Sequence, residues 1–169
     1  DGYVVLYRSG RDIHIDDAGL DLPLDKFPAS LVNTGKELAL FDPSGKEIDR
    51  IAYEKAKVGI AWERSETGFH LSTDERGGTP GSANSSPDDE PEDPDRPDTP
   101  HKPGIPTDII VLPNEIVFNE LLPNPYPEGS EYIELYNRSD RALPLAGLSV
   151  ATRKSDGTLS THYPLSSIV

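Results

Sequence analysis

Four carboxylates, Glu120, Glu131, Glu134 and Asp140, fall close together in one stretch of the chain. Hard oxygen ligands are what Ca²⁺ takes, so these four form a weak candidate calcium site, although their spacing matches no known calcium-loop geometry. The plainer reading puts Glu134 on the polar face of a strand and lets the others cap loop ends. A second candidate is His14-Ile-Asp16 with Asp17 adjacent, which would place an imidazole and a carboxylate on one side of an extended segment. No other histidine is spaced to join it, and a solvated acidic loop accounts for it as well. Catalytic signals are absent from the sequence: serine and histidine occur without a Gly-x-Ser-x-Gly elbow. The two acids of a glycosidase could be drawn from almost any pair among 30. With no cysteine there is neither thiolate chemistry nor a disulfide framework. The expectation is a chain without catalytic residues or cofactor, with calcium the one ion left open. Trp62 with Tyr53 and Phe69 could make a sugar-stacking platform, but a single tryptophan beside strand residues is more often core. Asn84-Ser-Ser86 and Asn137-Arg-Ser139 fit the N-glycosylation sequon.

The elements that would carry these residues are strands. Residues 131–136 alternate, with Ile133 and Leu135 on one face and Tyr132, Glu134 and Tyr136 on the other, the pattern of a half-buried strand. Residues 116–121 read as its partner. Between them Pro123, Pro125, Pro127 and Gly129 force a loop, because proline lacks an N–H and glycine permits positive φ. The Asn137-Arg-Ser-Asp140 turn then leads into residues 142–150. Nearer the start, residues 3–7 are apolar enough for a buried strand, residues 8–25 read as a long polar loop, and residues 27–32 as a short extended piece before the Asn33-Thr-Gly35 turn. Residues 36–42 and 46–53 form the clearest hairpin, joined by Asp42-Pro-Ser-Gly45, whose residue types suit a type I turn. Leu38 and Leu40 point one way and Ala39 and Phe41 the other, as in a strand lying between two layers. Residues 60–63 and 69–71 supply short strands around Ser65-Glu-Thr-Gly68. Many short strands with closely spaced turns predict a sandwich.

Composition confines the partners. The net charge of −14 is spread along the chain, with 15 acids against 10 bases in residues 1–84, 7 against 2 in 85–104, and 8 against 4 in 105–169. Such acidity argues against nucleic acid and anionic lipid, and no run is long and apolar enough to insert in a membrane. The start, Asp1-Gly2, has neither the basic nor the apolar region of a signal peptide and reads as the middle of a strand, so a piece of a longer protein is expected. Residues 85–106 differ from the rest: proline falls at 91, 94, 97, 100, 103 and 106, with seven acids between 88 and 98. A polyproline II helix has three residues per turn, so this is a stiff acidic spacer reaching on the order of 60 Å at ~3.1 Å per residue. A ligand for a proline-recognising domain is the sharper reading, but such grooves usually want basic flanks.

Asn119-Glu120, then Glu131-Tyr-Ile-Glu-Leu-Tyr-Asn137, then Leu145-Ala-Gly-Leu148 resemble the opening half of the lamin tail domain, in the version repeated in bacterial surface and secreted proteins. Residues 1–84 resemble its closing half: Gly2-Tyr-Val-Val-Leu6, Leu38-Ala-Leu-Phe-Asp42, Pro43-Ser-Gly45, residues 48–53, and Thr79-Pro-Gly81 with Asn84 just after. The two halves stand in reverse order. The expected organisation is therefore a closing half over residues 1–84, a linker over 85–112 and an opening half over 113–169. The resemblance implies an all-β, immunoglobulin-like β-sandwich, completed as a circular permutation within one chain or by domain swapping between two chains; in a longer parent protein the expectation is that each half belongs to a different tandem domain. It further implies a non-catalytic structural or interaction module of a bacterial cell-envelope or secreted protein, from a tandem array, with an unknown protein or cell-surface partner. A calcium- or carbohydrate-binding module, or the accessory domain of a secreted hydrolase whose catalytic part lies elsewhere, is the alternative.

Overall fold

The computed structural model of the chain describes residues 2–11, 13–15, 19–24, 27, 31–85 and 110–165. Among them are ten strands and no helix: β1 (Tyr3–Arg8), β2 (Gly19–Leu24), β3 (Lys36–Phe41), β4 (Glu47–Tyr53), β5 (Trp62–Ser65), β6 (Gly68–Leu71), β7 (Ile116–Leu122), β8 (Tyr132–Asn137), β9 (Ser149–Arg153) and β10 (Tyr163–Pro164). They form a six-stranded sheet in the order β2-β1-β8-β7-β5-β6 and a four-stranded sheet in the order β10-β9-β3-β4. One apolar cluster joins them, with Leu6, Phe118 and Ile133 from the first sheet and Leu38, Leu40 and Val150 from the second. The architecture is all-β, two sheets packed in the manner of a β-sandwich.

Neither sheet belongs to one half of the chain. β1 pairs antiparallel with β8, placing Val5 opposite Glu134, β5 pairs with β7, and β3 pairs with β9, placing Ala39 opposite Ala151. A sheet edge left unpaired exposes a row of backbone donors and acceptors, and here each half supplies strands that occupy the other's edges. Residues 86–109, most of the proline spacer, lie outside the described residues, as do Asp16, Asp17 and residues 28–30.

The β3–β4 hairpin follows its sequence closely. Asp42 Oδ1 accepts hydrogen bonds from the backbone N–H groups of Ser44 and Lys46, both at 2.9 Å, and the Gly45 N–H closes the turn on the Asp42 carbonyl at 3.0 Å. Leu38 and Leu40 face the shared core while Ala39 and Phe41 meet Ala151 and Leu159 on the other side, so both faces of β3 are covered.

Three expectations are corrected. Residues 8–25 are not all loop, because β2 runs parallel to β1 with Tyr3 opposite Gly19. Leu22 and Leu24 pack against the core, and Pro23 is tolerated because β2 is an edge strand with one side free of ladder bonds. Residues 142–148 are irregular, and β9 begins only at Ser149, after a turn in which the Leu148 N–H bonds the Leu145 carbonyl and Gly147 takes a φ of 88°. Finally, β8 is buried on both faces from Tyr132 to Leu135 rather than half-exposed.

A polar bridge spans the sheets. The β7–β8 register shifts between Phe118 and Glu120, a bulge that leaves Asn119 as the extra residue while Phe118 stays opposite Leu135. Asp49 of β4 accepts from the Phe118 N–H at 2.8 Å, Arg64 of β5 donates to the Phe118 carbonyl at 2.6 Å, and the two side chains pair at 2.6 Å. Burial raises the Asp49 carboxyl above the ordinary range even though the Arg64 charge opposes this.

If one chain completes its own sheets, light scattering will give a mass near 18.4 kDa at every concentration, with one cooperative unfolding transition; a mass near twice that would mean exchanged halves. Leu38→Ala should lower stability by about 2–5 kcal/mol in urea titration, the usual cost of emptying a fully buried leucine site.

Candidate functional site

The outer face of the six-stranded sheet, turned away from the shared core, carries three glutamates in a row. Glu63 of β5 lies opposite Glu120 of β7, and Glu120 lies opposite Glu134 of β8. All three are 0% exposed. Like charges on directly opposite strand positions repel, and a buried carboxylate without partners is costly. The row therefore depends on donors brought in from elsewhere.

Those donors come from residues 77–85, which lie across the row. Thr79, Pro80, Gly81 and Ser82 form a turn closed by the Ser82 N–H on the Thr79 carbonyl at 3.0 Å. Pro80 sits at its second position and Gly81, with φ 90°, at its third, the residue types a type II turn requires. This turn aims backbone donors at the sheet. The Thr79 N–H reaches both Glu120 oxygens at 3.0 and 3.1 Å, and the Gly81 N–H reaches Glu134 Oε2 at 2.5 Å. Ser85 gives Glu63 Oε2 its N–H at 2.8 Å and its hydroxyl at 2.9 Å. The Thr79 hydroxyl lies between two acids, 3.1 Å from Glu120 Oε2 and 3.3 Å from Glu63 Oε1. From within the sheet, the buried Tyr132 hydroxyl donates to Glu120 Oε1.

The bulge in β7 makes this possible. In regular pairing Asn119 and Glu120 would face opposite sides. With Asn119 as the extra residue, both address the closing segment: Asn119 Nδ2 donates to Glu134 Oε1 at 2.6 Å and to Asn84 Oδ1 at 2.8 Å. Asn84 answers with Nδ2 to the carbonyls of Arg64 at 2.9 Å and Asn119 at 3.2 Å.

Burial lifts the Glu120 carboxyl to about 8; the Tyr132 hydroxyl bond opposes this while the neighbouring Glu134 and Glu63 charges reinforce it. Burial lifts Glu134 to about 7 against the pull of the Gly81 N–H and Asn119. Tyr132, desolvated and beside these acids, is raised well above its ordinary value.

Beside the row opens a cleft of about 370 Å³. Gly77, Gly78 and Pro80 of the closing segment line it together with Leu122 at the end of β7 and Pro125 and Tyr126 of the β7–β8 loop, and Tyr132 and His14 also contribute. Tyr126 is 61% exposed. Its ring packs so closely on Gly59 that a Cβ there would collide with it, and a Cβ at Gly78 would collide with Glu120 and lie 2.6 Å from the Tyr132 hydroxyl. At Gly59 the φ of 69° favours glycine as well, and at Gly78 a side chain would have to displace two buried groups.

The structure brings together two of the four calcium candidates, Glu120 and Glu134, and completes their row with Glu63. Glu131 instead pairs with Arg8 at 3.6 Å, and Asp140 is exposed in the turn after β8. Among the described residues no group of three His, Cys, Asp or Glu side chains is arranged to hold a metal ion, since the oxygens of the row already accept from protein donors. His14 is exposed at the cleft. Trp62 is only 9% exposed and belongs to the shared core with Tyr53, so the core reading of the tryptophan holds and the alternative sugar platform does not form. Both sequon asparagines spend their amide nitrogens internally, Asn137 on the Arg141 carbonyl at 2.8 Å. Sequence reasoning missed Glu63 and Tyr126. The adjacent polar pair Asn119-Glu120 inside an apolar strand was the available signal for a bulge. Comparison with family models, characterised proteins and solved structures finds no match, which leaves the geometry to carry the functional reading.

Removing the acceptor at the centre of the row leaves buried donors unpaired, each costing about 1–3 kcal/mol. Glu120→Ala should therefore lose at least about 2 kcal/mol in urea titration. Gly78→Ala should also destabilise, with no loss in an exposed control such as Ala52→Ser.

Proposed function

We propose that this chain is a non-catalytic structural and interaction module, an immunoglobulin-like sandwich of the lamin tail type whose two halves stand in permuted order. The observation that carries the reading is the use made of the three buried glutamates. Carboxylates in a catalytic site face a substrate; these face backbone and side-chain donors of their own chain, with Thr79, Gly81 and Ser85 saturating them. The permuted reading draws support from the cross-half pairs β1–β8, β5–β7 and β3–β9. The reversed halves resemble successive pieces of the family pattern, and Thr79-Pro-Gly81 and Asn84 on one side meet Asn119-Glu120 and Glu134 on the other. From that resemblance follows the proposal of a place in a bacterial cell envelope or secreted protein, in an array of similar units joined by acidic proline-rich spacers.

The surface with the chemistry of an interaction site is the cleft beside Tyr126. An exposed aromatic ring next to a glycine-lined cleft favours carbohydrate as the second reading, because a sugar's C–H face stacks on such a ring while its hydroxyls need few fixed partners.

Thermal unfolding in the presence of Ca²⁺ and of a panel of mono- and oligosaccharides separates these readings. A ligand at a hundredfold excess over its Kd stabilises by about 2.7 kcal/mol. The carbohydrate reading expects such a stabilisation with one sugar class and its loss in Tyr126→Ala. No stabilisation with any sugar would sink it, and turnover of generic ester, phosphate or glycoside substrates would sink the non-catalytic reading itself.

A further inference from the structure

The Thr79 hydroxyl sets a condition on the acid row. It has one hydrogen and stands within hydrogen-bond distance of Glu120 Oε2, at 3.1 Å, and Glu63 Oε1, at 3.3 Å. If both carboxylates are ionised, it donates to one and turns a lone pair on the other. If one of the two acids holds a proton, the hydroxyl accepts from that acid and donates to its neighbour, and every contact is favourable. The geometry is thus satisfied by a proton residing on the Glu63–Glu120 pair. The register supports this independently, since the two acids are direct cross-strand neighbours and Glu120 has Glu134 on its other side.

We propose that residues 77–85 are a proton-dependent clasp: a proton held within the Glu63, Glu120 and Glu134 row keeps the segment on the sheet, and loss of that proton releases the segment and with it one wall of the cleft. The inference rests on hydrogen-bond geometry and stands whether or not the functional reading above is right.

Few other titratable groups bear on the row. From β8 the buried Tyr132 hydroxyl meets Glu120. From β6, His70 stands opposite Glu63 in the ladder. From β1, Tyr7 stands opposite Tyr132 and gives its hydroxyl to Asp21 of β2 at 3.3 Å. His14 and Arg76 line the cleft, and Arg76 pairs with Asp74 at 3.1 Å. Arg64 and Asp49 are committed to each other and to the Phe118 backbone.

The direction with pH follows. Burial beneath the closed segment holds the Glu120 and Glu134 carboxyls above their ordinary range, at about 8 and about 7, and opening lets water reach them and lowers both. A group whose value is raised in the closed state favours closure fully below its open-state value, and that advantage declines as pH rises through the closed-state value. The clasp is therefore tightest in mild acid, loosens across pH 5 to 8 and changes little above that.

Hydrogen exchange at the Thr79, Gly81 and Ser85 amides, expressed as protection factors so that the intrinsic pH dependence of exchange is divided out, reads this directly. Protection at all three should fall at least about tenfold between pH 5 and pH 8.5, the change expected when one carboxyl binds its proton about tenfold more tightly with the clasp shut than open. The Leu40 amide of β3 should hold its protection over the same range. Glu120→Gln, which keeps an oxygen acceptor and cannot ionise, should flatten the dependence. Glu134→Gln should narrow it, and serves if the first variant does not fold. Protection that is constant or rises with pH in the unaltered protein would overturn the proposal, as would a fall shared equally by Leu40, which would report global unfolding.

Discussion

Three glutamates on adjacent strands, all out of water, impose the constraint on which the rest of the outer face depends. A sheet cannot carry such a row bare: the charges repel across the ladder and each needs donors. The chain meets the requirement with a turn whose backbone N–H groups point at the acids, and a backbone donor is tied to its place in the fold. The acids thereby fix where residues 77–85 lie, and the segment fixes the burial of Tyr132 and the shape of the cleft beside it. Removing either partner strands the other, so the contact is specific beyond whatever net stability it adds.

The same contact ties the two halves of the chain. Thr79, Gly81 and Asn84 belong to the first half; Asn119, Glu120 and Glu134 belong to the second. Backbone pairing between β1 and β8 and between β3 and β9 supplies the continuous part of the joint, and hydrophobic burial between the sheets its driving force. Burial of one face already specifies strand register, since a one-residue slip would turn every apolar side chain outward. A turn that must present two N–H groups to two named carboxylates adds a second, directional constraint on the same closure.

The bulge at Asn119 connects the two faces of the six-stranded sheet. On the outer side it lets two consecutive polar residues reach the clasp; next to it Phe118, opposite Leu135 and beyond the end of the β5 pairing, has its backbone N–H and carbonyl met by Asp49 and Arg64. The clasp on the outside and the ion pair between the sheets thus meet at neighbouring residues of one strand.

By itself the sequence determined the strands whose alternation or turn chemistry is local. The β3–β4 hairpin is legible because Asp42, Pro43 and Gly45 act within a few residues of one another, and the inward set Leu38, Leu40, Ile133 and Leu135 because a strand's period needs no partner to be read. Only the tertiary structure decided what lies on the second face of β8. Alternation marks Tyr132 and Glu134 as polar-side residues, and nothing local says that a distant turn will cover that side. Glu63, far from Glu120 along the chain, joins it through strand register alone. Trp62 went inward and Tyr126 outward for the same reason: burial is settled by which strands become neighbours, and that depends on contacts between parts of the chain whose spacing carries no signal of their meeting.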